Sequence, residues 1–180
     1  MSDSTHVDGV RNVDLLAIYC NDHLAASVGG IELVRRMVSK HRGTEHEQPL
    51  TELLAQLREE NRSLQTQMQN MGFPVRHWKV AALWVGEKLS RGKLNGRLLS
   101  RSPLSDLVEF EFLASAVRGK RSGFETLRGV AEVEPRLDSA ELDRLIEQAN
   151  GQYEWLSDAR RQVAAAVFGG SADAAERAAN

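Results

Sequence analysis

Turning the chain by about 100° per residue, as an α-helix does, brings Leu16, Cys20, Leu24, Ser27, Ile31, Val34 and Val38 to one side. Tyr19 and Met37 widen that face, and Asp14, Glu32 and Arg36 stand opposite. The pattern predicts a long amphipathic helix from about Val10 to His41, stopped by Gly43. A second stripe joins Leu50, Leu53, Leu54, Leu57, Leu64, Met68 and Met71 and ends at Gly72, before Phe73 and Pro74. Its start carries two signals: Thr44 and Glu47 stand at capping-box spacing, and Pro49 suits a first helical turn. The third stripe, Phe110, Leu113, Val117, Phe124 and Leu127, predicts a helix over Pro103 to Ala131 with Ser102 as N-cap. The fourth runs through Leu142, Leu145, Ala149, Leu156, Val163 and Val167, begins near Asp138 with Glu141 at capping-box spacing, and stops before Gly169 and Gly170.

The links between these helices differ in length. A few residues around Gly43 join the first pair, and a few around Glu134 and Pro135 join the last, so each pair should be antiparallel neighbours. About 30 residues separate the second helix from the third, enough to travel back along a bundle. Short, long, short is the connection pattern of ferritin-like bundles with one crossover. The expected fold is therefore all-α: a four-helix bundle over residues 10–168, with a crossover at 74–102 and flexible ends at 1–9 and 169–180.

The crossover holds a charge that the whole chain conceals. Pro74 to Arg101 carries seven Lys or Arg against Glu87 alone, a net charge of +6 in a chain whose formal total is -2. Trp78, Ala81, Ala82, Val85 and Leu89 make one helical face, and Val80, Leu83 and Trp84 another, which predicts a short basic helix between helices two and three. Three readings stand: contact with RNA or other nucleic acid, contact with an anionic membrane surface, or a strap that seals the bundle or a homodimer interface. Trp78, Trp84, Arg91, Lys93 and Arg97 are the candidate contact residues.

Composition narrows the class. With 180 residues, 42% hydrophobic and 27% charged, the chain has material for one ordinary globular core and is too apolar for a disordered protein. No apolar run approaches the roughly 18 residues of a membrane span, and the N-terminus lacks the order of a secretory signal. Cys20 is the only cysteine, which excludes an intramolecular disulfide and a multi-cysteine metal site. A cytoplasmic protein is expected.

Candidate chemistry lies in polar residues that the helical pattern turns inward. His23 falls in the apolar sector of the first helix, and Glu60 and Asn61 interrupt the second stripe between Leu57 and Leu64. Glu109 and Lys120 lie on the core side of the third helix, and Gln152 and Tyr153 are central in the fourth. One reading is a reduced mononuclear Fe or Mn site from His23, Glu60 and Glu109, since a divalent cation needs several anionic or imidazole ligands. The other is a satisfied buried network, with Lys120 paired to Glu60 or Glu109 and His23 bonded to Asn61. Asp22 and His23 point about 100° apart and form no acid–base pair. Cys20 reads as a small buried hydrophobe.

Ile18-Tyr19-Cys20-Asn21-Asp22-His23-Leu24-Ala25, His41-Arg42-Gly43-Thr44, and the crossover strings KVAALWVGEKL and KLNGRLLSRSPLSDLVEFE give the chain a resemblance to uncharacterised actinobacterial ferritin-like proteins. The resemblance spans roughly residues 10–168 and implies a ferritin-like four-helix bundle. The wider superfamily suggests iron or manganese chemistry, built on Glu-x-x-His pairs from two helices. None of the five histidines here lies three residues after a Glu, which weighs against oxidase, ferroxidase or storage activity. The leading expectation is a non-catalytic bundle without a cofactor, acting through self-association or a protein partner.

Overall fold

The computed structural model describes residues 12–75 and 103–169. Those residues form four helices and no strand: α1, Val13–Lys40; α2, Glu47–Asn70; α3, Pro103–Val130; and α4, Ser139–Phe168. The expected crossover helix, the Ser102 cap, the terminal segments 1–9 and 170–180, and Trp78, Trp84, Arg91, Lys93 and Arg97 lie outside the described residues. No helix among the described residues is long and apolar enough to cross a membrane.

Local chemistry sets the start of α1 and the end of α2. Asn12 caps α1, its side chain accepting from the Leu15 N–H at 3.4 Å. At the end of α2, Phe73 N–H donates to the Met68 carbonyl at 2.8 Å and Gly72 N–H to the Gln69 carbonyl at 2.9 Å, a Schellman closure. Gly72 sits at φ 74°, where a side chain would be strained, and this is why the stripe stops there. Phe73, just past the turn, is buried in the same cluster as Met68.

Pairing gives the topology. α1 packs on α2, α3 packs on α4, and α1 meets α3 over a smaller area. Lys40 at the end of α1 pairs with Asp106 and Glu109 at the start of α3, so these two helices run antiparallel. Contacts from Gln56 to Gln152 and from Gln67 to Asp138 make α2 and α4 antiparallel as well. It follows that α2 and α3 point the same way, with the end of α2 and the start of α3 at opposite ends of the bundle.

The core forms two apolar clusters. One gathers Leu33, Val34, Met37, Leu50, Leu53, Phe110, Leu113, Val117 and Leu156. The other gathers Leu16, Cys20, Leu24, Leu64, Met68, Phe124, Leu127, Leu142 and Leu145. Along α2 the division falls between Leu57 and Leu64, and along α3 between Val117 and Phe124. In the second half of α1, Leu33 and Met37 fill the core while Ile31 and Val38 are half-buried, a shift of one position from the predicted stripe. A straight α-helix drifts by about 20° per heptad against the 3.5-residue repeat that keeps one seam facing its bundle partners, so a single stripe does not stay inward along a long helix.

Candidate functional site

Between the two clusters lies a layer of polar side chains. Glu60, projecting from α2, is only 3% exposed. Its carboxylate accepts from Lys120 Nζ of α3, from Gln152 Nε2 at 2.8 Å and from Gln148 Nε2 at 2.9 Å, both on α4. Lys120 also donates to Gln152 Oε1 at 2.5 Å, and Gln152 reaches Gln56 Oε1 at 2.9 Å. Burial pushes the Lys120 ammonium below its ordinary pKa, and the charge and hydrogen bond of Glu60 oppose that shift. The layer is thus an ion pair closed by glutamine amides, which supply the remaining bonds a buried charge requires.

On the α1 side the layer opens into an apolar cavity of about 290 Å³. Leu57 and Leu64 of α2 and Leu113, Val117, Phe124 and Leu127 of α3 supply the large apolar side chains of its wall. The opening exists because the facing helices present small residues at this level: Ala26, Ser27 and Gly30 on α1, Ala116 and Gly119 on α3. A methyl group added at Gly30 or Gly119 would meet nothing within 4 Å. At one end the imidazole of His23 fills the contact with α3: a Cβ at Gly123 would come within 2.6 Å of His23 Cε1. Tyr19 packs edge-on against the same ring, centroids 4.5 Å apart.

The candidate metal ligands are not brought together. His23 and Glu60 both line the cavity, whereas Glu109 pairs with Lys40 at 2.9 Å near the start of α3. Among the described residues, no group of three or more His, Cys, Asp or Glu is placed to hold a metal ion. Both Glu60 oxygens are occupied by donors, and an ammonium stands beside them. These residues do not fit the iron or manganese that a ferritin-like resemblance implies. Of the alternative network, the Glu60–Lys120 pair forms; Asn61 bonds instead to Ser27 Oγ and Gln65 Nε2, both at 2.6 Å.

Cys20 is fully buried and desolvation pushes its thiol up to about 11, which leaves it protonated and unreactive at neutral pH. Sequence reasoning missed Gln56 and Gln148, whose signal was only the abundance of Gln near a buried Glu, and it missed the cavity. No family model matches the chain, and no match was found among curated proteins or solved structures.

Proposed function

We propose that this bundle is a non-catalytic binding module for a small, mostly apolar molecule held in the cavity between α1, α2 and α3. The observation that carries the reading is the cavity itself: an apolar wall with a few convergent polar groups, beside a charge pair that is already satisfied. Its volume of about 290 Å³ is roughly twice that of a cavity known to take up benzene. A bicyclic ring or a ten-carbon chain is the matching scale.

Titration with N-phenyl-1-naphthylamine, whose fluorescence rises in apolar surroundings, tests the proposal. Saturable uptake by the wild type is expected, with loss of uptake in Gly119→Leu, a substitution at a lining position where an added Cβ meets nothing within 4 Å. Uptake that does not saturate, or that is unchanged in Gly119→Leu, would sink it.

One further surface supports the second reading, self-association or a protein partner. Leu104, Val108 and Phe112 recur at four-residue steps on α3 and are 48%, 43% and 49% exposed. Size-exclusion chromatography with light scattering should then show a dimer or larger species that Phe112→Ser dissociates. A wild-type monomer at high concentration removes the self-association arm.

A further inference from the structure

The polar groups around the cavity differ in what they have left to offer. Ser27 Oγ donates to the Leu24 carbonyl at 2.7 Å and accepts from Asn61 Nδ2 at 2.6 Å. Asn61 Oδ1 accepts from Gln65, and Glu60 and Lys120 are bonded to each other and to the α4 glutamines. The charges of Lys120 and Glu60 oppose each other, so this wall presents no net charge to an ionic ligand. Among the described residues His23 alone of the polar lining groups makes no hydrogen bond, although its ring is held by Tyr19 and Gly123. Burial lowers its pKa against the smaller opposing pull of Asp22, so the ring is neutral at pH 7. A neutral imidazole offers one N–H donor and one bare acceptor nitrogen.

Resting on the binding role proposed above, we infer that the ligand is an uncharged, largely apolar molecule with a single hydroxyl or carbonyl group, and that His23 is the residue that binds that group. The hydroxyl would donate to the bare ring nitrogen, or the carbonyl accept from the ring N–H. A carboxylate entering the cavity would face Glu60 with no unpaired cation to receive it, and an ammonium would face Lys120. Selectivity for uncharged ligands follows from the closed ion pair, and selectivity for a polar substituent from one imidazole.

Three probes of one shape separate the terms: naphthalene, 2-naphthol and 2-naphthoate, titrated into the full chain by calorimetry or fluorescence at pH 7. The naphthol should bind about three- to tenfold more tightly than naphthalene, the worth of one net hydrogen bond, and the naphthoate most weakly. His23→Phe keeps a ring against Gly123 and Tyr19 but removes both nitrogens, so the naphthol preference should fall to about onefold while naphthalene still binds. In the wild type, naphthol should also move the His23 ring ¹⁵N resonances and naphthalene should not, a readout independent of how the variant folds. Equal binding of naphthol and naphthalene, a preference for naphthoate, or unmoved His23 resonances overturns the inference and leaves apolar binding standing. Failure of all three probes to bind overturns both the inference and the binding role it rests on.

Discussion

Lys120 illustrates how a residue's worth depends on what remains when it is removed. The Glu60 carboxylate beside it is almost wholly buried, so Lys120→Met leaves an uncompensated charge in the core. We expect a loss of about 3 kcal/mol in urea unfolding. The double variant Glu60→Leu/Lys120→Met removes both charges and should recover most of that loss, because the pair's desolvation penalty disappears with it. A double variant as unstable as the single one would sink this account. Acid acts on other residues. Burial lowers the folded-state pKa of both His23 and His41, and for His41 this outweighs attraction to Asp106. The unfolded chain therefore binds protons first, and stability should fall as pH drops below about 6.5. A urea midpoint that declines from about pH 7 to about pH 5, and declines less in His23→Phe/His41→Phe, is the expected result. Below that range Glu134 and Glu141, whose carboxyls are held low mainly by hydrogen bonds from Arg136 and Arg144, add a second loss as they protonate. The inward placement of Glu60, Lys120 and Gln152 was legible from periodicity alone. Lys120 and Glu109 stand on the same helix with roughly 16 Å of rise between them, so helix geometry already leaves Glu60 as the partner. The α4 glutamines that close the pair were not legible, because only the register of α2 against α4 brings them there.

At the scale of elements, the helix termini show where sequence signals are half-right. Asp138 caps α4 as its spacing to Glu141 predicts, accepting from the Glu141 N–H at 3.0 Å. The reciprocal bond of a capping box does not form, because Glu141 turns to Ser63 and Arg144. The Asp138 N–H is met instead by Gln67 Oε1 at 2.9 Å, from the far end of α2. A residue 71 positions away in sequence completes the cap, and no local pattern reveals it. Asp138→Ala should cost about 1 kcal/mol, the usual worth of an N-cap. Gln67→Leu should cost at least as much, about 1–2 kcal/mol, since it strands a backbone donor in the α2–α4 contact. Denaturant unfolding of both variants checks the pair; an unaltered midpoint in Gln67→Leu would mean that water replaces the amide freely. The first link behaves alike. Glu47, expected to bond back to Thr44, reaches the Gly43 N–H at 2.6 Å, while Pro49 falls in the first turn as expected. Arg136 ties the remaining end together, bidentate to Glu134 and donating to the Met71 carbonyl at 3.1 Å.

For the whole molecule, the decisive feature is the seam where α1 meets α3, and it was the least legible. A helical wheel displays the residues that fill space, not the space that two helices leave when small residues face each other. Gly30, Gly119 and Gly123 look alike in the sequence, yet the first two face open space and the third faces the His23 ring. Helix interiors disfavour glycine by about 0.5–1 kcal/mol relative to alanine. With nothing within 4 Å of an added methyl group, Gly30→Ala and Gly119→Ala should each raise stability by about that amount. Gly123→Ala should do the reverse and cost about 1–2 kcal/mol, because the new Cβ lies 2.6 Å from the His23 ring and forces it off its seat. Thermal melting of the three single variants separates these signs. The larger Gly119→Leu carries the same argument to function: it adds helix propensity and covers apolar wall, so its melting temperature should rise while probe uptake disappears. Stability and binding moving in opposite directions in one variant is what a ligand cavity predicts. A seam that merely packs imperfectly gives the gain in stability with no uptake to lose.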